Sequence, residues 1–326
     1  MNKTSVLIID DNNSGLRLDI FLSKNHPDIS RASIQAQIKE GSTSVNGNIV
    51  RPSYILKAGD KVISGIHQTT IDQDYALSNY DMPLDILFED SDLIVLNKPP
   101  GISVHTSQNE KEKTLVNALI NYYPAISKVN DTSSTAKSIF RPGIVHRLDK
   151  ETSGVMVVAK NIKTLEYLQQ IIKNRQIKKQ YLALCYGWPN SKTGKLINYL
   201  GRKNNNRKVF TEVGVIHGKL AISYYKIIQY FLTDDNKRFS LIEFDILTGR
   251  THQIRSQSLL NGFPVLGDKY YFTKESKEIS KRIGIERQAL HSWKLSFIPP
   301  GESENKEYVA PLATDISTII SKHKPY

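Results

Sequence analysis

The apolar positions of this chain change period several times, and each change marks an element. Leu18, Phe21 and Leu22 fall at i, i+3 and i+4, one face of a short helix. A second helical stripe runs through Ala32, Ile34, Ile38 and Glu40, with Ser30 as the capping residue and Gly41 as the stop. Val45-Asn46-Gly47-Asn48-Ile49-Val50 sets Asn-Gly between β-formers. That is a strong hairpin signal, because both residues tolerate positive φ. Gly59-Asp60 turns the chain before Val62 and Ile63, so residues 14–65 read as a small unit of helix, helix, hairpin and strand. Residues 66–82 are polar, lack a period and read as a linker.

From Pro83 onward strands dominate. Residues 93–96 form a short buried strand ended by Pro99-Pro100-Gly101, and residues 154–159 form a core strand. Further strands fit 181–185, 221–230, 239–247 and 289–297. Thr114 caps a helix through Leu115, Ala118 and Leu119 that stops at Pro124. Asn161 caps another, with Leu165, Leu168, Ile171 and Ile172 on one face. Residues 251–260 suit a short helix stopped by Asn261-Gly262, and residues 126–138 read as a polar loop. Residues 83–326 are therefore expected to form an α+β domain dominated by sheet, without regular βα alternation.

Composition narrows the class. A chain of 326 residues suggests about two domains, at roughly 100–200 residues each. The net charge of +12 favours a polyanionic partner, either nucleic acid or an anionic membrane surface. The single cysteine, Cys185, excludes an internal disulfide and a thiolate zinc site. Val6-Leu7-Ile8-Ile9 runs straight into Asp10-Asp11, too short and too acidic for a signal peptide. No apolar run approaches the length of a membrane span. The nearest two of the eight histidines are 32 apart, so no local helical zinc motif exists. No G-x-G occurs, and Asp268 follows Gly262 and Gly267 where a phosphate-binding loop needs lysine. What remains is a cytoplasmic enzyme without NAD, ATP or metal, or a plain RNA-binding protein.

The most informative stretch is GIVHRLDKETSG at 143–154, which sets Asp149 in a loop between Arg147 and Lys150, just ahead of a buried strand. Rigid strands commonly present reactive groups from the loops at their ends. On its own, this tetrapeptide HRLD reads first as a loop carboxylate paired with a neighbouring base, since ion pairs commonly perturb such groups without catalysis.

The wider pattern adds to that. HRLDKETSG, NKPPGISVH at 97–105, KKQYLALCYG at 178–187 and TGRTHQIR at 248–255 together resemble the RluA/RluD superfamily of RNA pseudouridine synthases. The similarity covers roughly residues 83–310. RLDIFL, SRASIQAQIKEGSTSVNGNIV and AGDKV in the first unit resemble the S4 RNA-binding domain. The resemblance implies a mixed, mainly antiparallel catalytic sheet, no cofactor and no metal. It implies isomerisation of uridine to pseudouridine in large-subunit ribosomal RNA or a pre-ribosomal particle, by a monomeric cytoplasmic enzyme. TLVNAL, GIVHRLDKETSG and GKLAISYY look more like the RluD branch than the RluC branch. A transfer-RNA-acting relative and a non-catalytic ribosome-assembly protein are the alternatives.

Residue by residue, Asp149 matches the family's catalytic Asp, Arg255 the arginine that pairs with it, and Tyr181 the tyrosine that packs on the target base. Arg147 is read either as filling the gap left by an extruded nucleotide or as a phosphate contact. His146 is grouped with it as an RNA contact. Leu290 is read as an apolar pocket wall or as core. Lys98, Lys150, Lys160, Lys178 and Lys179 are candidate phosphate contacts near the pocket. Arg17, Arg31, Lys39 and Arg51 are candidate contacts of the first unit with an RNA backbone.

Overall fold

The computed structural model describes residues 4–27, 29, 31–67, 78–106, 112–130, 141–203 and 206–326. They divide into two compact units, one of residues 1–78 with 130–142, the other of 79–129 with 143–326.

The first unit packs helices α1 (Leu18–Asn25) and α2 (Arg31–Lys39) on a four-stranded sheet. Its strands are β1 (Ser5–Ile8), β2 (Thr43–Val45), β3 (Asn48–Ile49) and β4 (Lys61–Ser64), in the order β1-β4-β2-β3. The helical stripes close the core: Leu18, Phe21 and Leu22 meet Ile34, Ile38, Val45 and Val62 there. Asn46 and Gly47 make the β2–β3 turn with φ of 51° and 81°, the two positive angles that this turn needs. The Asn46 amide also donates to Asp60 at 2.8 Å, which pins the hairpin to the turn before β4. Strand β1, read from sequence only as an apolar tail, pairs with β4 from Ser5 opposite Ser64. Ile66 is buried in this core and His67 N–H donates to Gln37, so the start of the expected linker belongs to this unit. Ser30 and residues 68–77 of that linker lie outside the described residues.

Beneath α1 the carboxylate of Asp19 is fully buried and accepts from Arg17, Arg31 and Gln35. Burial alone would raise its pKa, but the two guanidinium groups and the amide outweigh that and hold it down at about 2. The pair of helices is therefore clipped together by one ionised carboxylate.

The second unit is built on a ten-stranded sheet. Its strands are β5 (Ile86–Glu89), β6 (Leu93–Lys98), β7 (Ser153–Ala159), β8 (Lys178–Tyr186), β9 (Thr193–Lys203), β10 (Asn206–Glu212), β11 (Lys219–Leu232), β12 (Arg238–Ile246), β13 (Leu290–Phe297) and β14 (Lys306–Val309). The order is β10-β9-β11-β12-β8-β13-β7-β6-β5, with β14 on β13. All pairings are antiparallel except β13 with β7. This is the mixed, mainly antiparallel sheet of an α+β domain.

Helices α3 (Leu115–Tyr122), α4 (Ile162–Lys173), α5 (Gln253–Leu260), α6 (Lys274–Ile283) and α7 (Thr314–Lys322) pack around it. Thr114 and Asn117 form a reciprocal cap on α3, and Asn161 caps α4. Three expectations change. The loop expected at 126–138 begins inside a 3₁₀ turn, Pro124–Lys128, because Ile126 is buried; residues 131–140 lie outside the described residues. Helix α5 starts two residues late, because His252 is left-handed at φ 56°. Helices α6 and α7 have no counterpart in the sequence reading: α6 shows a narrow stripe in a highly charged segment, and α7 is rich in β-branched residues. No helix among the described residues is long and apolar enough to cross a membrane.

The parallel β7–β13 contact positions the site, and glycine makes it possible. Gly154 has φ 115° and lies opposite Ser292, where an added Cβ would stand 2.1 Å from the Ser292 carbonyl oxygen. Gly154→Ala is expected to cost about 2–5 kcal/mol, from backbone strain and overpacking together. Denaturant unfolding of the variant checks this, and a loss below about 0.5 kcal/mol, the level of an ordinary surface change, would contradict it.

Candidate active site

The loop ahead of β7 is held by its backbone. The Asp149 carbonyl accepts from Thr152 N–H, and the Lys150 carbonyl accepts from Gly101 N–H. The Glu151 carbonyl accepts from Arg287 at 2.7 Å, and Arg287 in turn forms two bonds with Asp315 of α7. With its backbone fixed, Asp149 projects into a cleft lined also by Arg147, Tyr181, His252, Arg255 and Leu290. Arg147, Tyr181, Arg255 and Leu290, from four separate parts of the chain, thus meet Asp149 in one place.

Arg255, from α5, is buried, with 3% of its surface exposed. Its Nη1 donates to Asp149 Oδ2 at 2.8 Å. Its Nε and Nη2 bond both oxygens of Asp268 at 2.6 and 2.9 Å. Burial disfavours the charged guanidinium, but Asp268 and then Asp149 more than offset this and raise its pKa above the ordinary value. Asp268 is itself fixed, because Oδ1 also accepts from the backbone N–H of Tyr270 and Tyr271. Gly267, at φ 77°, passes so close to the Arg287 carbonyl that a Cβ would stand 1.9 Å from it, and this turn delivers Asp268. The Tyr271 ring lies under the guanidinium, 5.0 Å from its carbon.

A second group approaches the same oxygen: His252 Nε2 stands 3.7 Å from Asp149 Oδ2. Among the described residues no donor reaches Asp149 Oδ1. Tyr181, on β8, is 7% exposed, and burial pushes its hydroxyl up to about 12, so it is neutral. Leu290 begins β13 and is buried beside it. Asp268, Tyr271 and His252 were missed by sequence reasoning, although His252 lies inside TGRTHQIR and GDKYY at 267–271 follows the last predicted turn.

Two expected RNA contacts are placed otherwise. Lys98 is fully buried, and its Nζ donates to the carbonyls of Pro99, Ile102 and Lys150 at 2.6, 3.0 and 3.1 Å. An ammonium has three protons, and these three bonds use them all. Burial pulls its pKa down to about 7, against the attraction of Glu151. His146 accepts the Val157 N–H at 3.0 Å through Nε2, and burial lowers its pKa to about 3, so it is a neutral structural acceptor. Of the other lysines, Lys160 pairs with Glu89 at 2.8 Å and Lys178 with Asp245 at 3.7 Å, while Lys179 is buried. Arg147 and Lys150 are exposed beside the cleft.

In the first unit, Arg17, Lys39 and Arg51 line one groove together with Gln35, Ile38 and Ile49. Arg31 stands on the same Asp19 carboxylate as Arg17.

The family model described as RNA pseudouridylate synthase matches residues 92–259, and that of the S4 domain matches residues 16–62. A protein of Bacillus subtilis named "Uncharacterized RNA pseudouridine synthase YlyB" is 34% identical over 98% of both chains. "Ribosomal large subunit pseudouridine synthase D" of Neisseria meningitidis is 35% identical over 94% of this chain and 79% of its own. The solved structure of human RNA Pseudouridylate Synthase Domain Containing 1 has a TM-score of 0.58 at 22% identity, over 75% of this chain and 89% of its own, and shares the fold.

The Lys98 bonds make a direct test. Lys98→Met keeps the length but leaves the Pro99 and Ile102 carbonyls without a donor and the Lys150 carbonyl with Gly101 N–H alone, so stability is expected to fall by about 1–3 kcal/mol, with turnover falling as the Lys150 carbonyl loses one of its two anchors. Unfolding curves and RNA titrations over salt check it. A reduced salt slope with unchanged stability would restore the phosphate role.

Proposed function

The chain belongs to the RNA pseudouridylate synthase family, and on that premise we propose that it converts specific uridines of large-subunit ribosomal RNA to pseudouridine, with Asp149 as the reacting carboxylate. It is an RNA pseudouridine synthase, an isomerase. The observation that carries the site assignment is an enclosed Asp149 held by Arg255 and facing Tyr181 across the cleft.

The reaction breaks the bond from ribose to the uracil nitrogen, turns the ring and joins its C5 to the same ribose carbon. The C5 proton leaves to solvent, the freed ring nitrogen takes up a proton in exchange, and no electrons are gained or lost. A carboxylate suits this, because it can stabilise a detached intermediate covalently or take up a proton. Arg255 sets a fixed opposite charge against Asp149 in the cleft, 2.8 Å from its Oδ2. A stacked nucleotide cannot bring its ribose to Asp149, so the uridine flips into the cleft, where the Tyr181 ring and Leu290 offer apolar faces. Arg147 at the rim is suited to the space the nucleotide vacates or to its phosphate.

The ribosomal substrate is supported by the names of relatives such as the Neisseria protein and by the S4 domain. In this reading residues 14–65 anchor structured RNA through the groove of Arg17, Lys39 and Arg51, with Arg31 alongside. The second unit, residues 79–129 with 143–326, serves as the catalytic domain. A ribosomal substrate implies that the monomeric enzyme acts in the cytoplasm.

Asp149→Asn keeps the volume and removes the charge. Tritium release from RNA carrying 5-tritiated uridine is expected to fall to background while RNA binding persists; near-normal release would sink the assignment. Replacing Lys39 and Arg51 together by Ser is expected to weaken binding to ribosomal RNA and to flatten the log–log salt dependence by about 0.7–0.9 for each phosphate no longer neutralised. Equal affinity and equal slope would show that this groove is not the anchor.

A further inference from the structure

His252 occupies a left-handed backbone conformation that is uncommon for residues with a Cβ, at φ 56° and ψ 25°. Its ring is boxed edge-on by Phe210 and Tyr271, with centroids at 5.7 and 5.5 Å. Its Nδ1 lies 3.0 Å from the Tyr271 hydroxyl. Tyr271 is 1% exposed, and its oxygen already accepts the Phe210 N–H at 2.6 Å. A hydroxyl carries one proton, and a buried one is given to an acceptor. Among the described residues, Nδ1 of His252 is the acceptor within reach. Nδ1 therefore carries no hydrogen, and the neutral ring carries its hydrogen on Nε2. That nitrogen faces Asp149 Oδ2, the same oxygen that Arg255 bonds at 2.8 Å.

We propose that His252 is a positioning residue: Tyr271 holds it as the Nε2–H tautomer, and with Arg255 it fixes Asp149 through Oδ2, reserving Oδ1 for the uridine. This rests on the reading of the cleft as the isomerase site. At 3.7 Å the contact is open in the free protein, and such contacts close when substrate packs the site. The charged groups facing the ring are Asp149, Asp268, Arg255 and Arg147, two of each sign. Burial, the largest influence, pushes the imidazole below its ordinary pKa and keeps it neutral.

The tautomer is read directly from imidazole nitrogen NMR shifts of the full chain at neutral pH: Nε2–H is expected, and Nδ1–H overturns the proposal. Its use is read from single-turnover rates at saturating enzyme over a range of pH, for the parent, Tyr271→Phe, His252→Asn and the double variant. Asparagine tolerates the left-handed backbone, so the turn is kept. Each single change is expected to lower the plateau about 10- to 100-fold at unchanged RNA affinity. The double variant should be no slower than the slower single, because both remove one device. Parent activity should hold as pH rises through about 6.5, since the neutral ring is the working form. Additive losses, singles at the parent rate, or a parent rate that declines through that range and stops declining in His252→Asn would each overturn it. A parent inactive on any RNA but showing the Nε2–H tautomer would defeat the isomerase reading instead, and with it the role though not the tautomer.

Discussion

One buried guanidinium, shared between two carboxylates, organises the catalytic unit. Burying a cation is costly unless its protons are bonded and its charge is balanced. Arg255 meets both conditions by gripping Asp268 with two bonds and Asp149 with a third. The elements around it serve that arrangement: α5 carries the arginine, the Gly267 turn delivers Asp268, and the Tyr271 ring closes the underside. Had Arg255 a single partner, Asp149 alone would have to fix the guanidinium. With Asp268 as the anchor, the arginine is a rigid wall against which Asp149 is set.

The cluster of Asp149, Tyr181 and Arg255 was legible in the sequence, because its parts lie in contiguous motifs with constrained local geometry. HRLD sits between a pinned loop and a fully buried strand, and HQIR opens a helix. The anchor was not legible. Asp268 follows a glycine spacing that sequence reading weighed only as a failed phosphate loop, and nothing local in GDKYY shows that its carboxylate turns inward. His252 was hidden for a similar reason: its left-handed backbone has no signature in the residue type. The fold shows the same division. Strands with continuous apolar runs, such as β7, were found, whereas α6 and α7 depend on packing against the sheet through Ile279, Ile316 and Ile319.

Net charge was a cruder guide than the motifs. It pointed to a polyanion, yet it counts every lysine and arginine alike. Lys98 is spent inside the protein on three carbonyls, and Arg17 and Arg31 share the buried Asp19. Lys160 and Lys178 face carboxylates. A sequence shows a base but not its partner, so the basic residues available to RNA are a subset that only the folded arrangement defines.

The pinned loop that carries Asp149 draws its supports from along the whole catalytic unit. Lys98 and Gly101 come from before it in the chain, whereas Arg287 comes from well after it and is steadied by Asp315 near the C-terminus. These are contacts of large sequence separation, and their loop-closure cost is met only when the distant partner exists. A nascent chain on the ribosome can form β6 and β7 early and still lack a set loop. The loop is therefore set only once α7 has been made and can reach back, through Arg287, to a segment translated long before it.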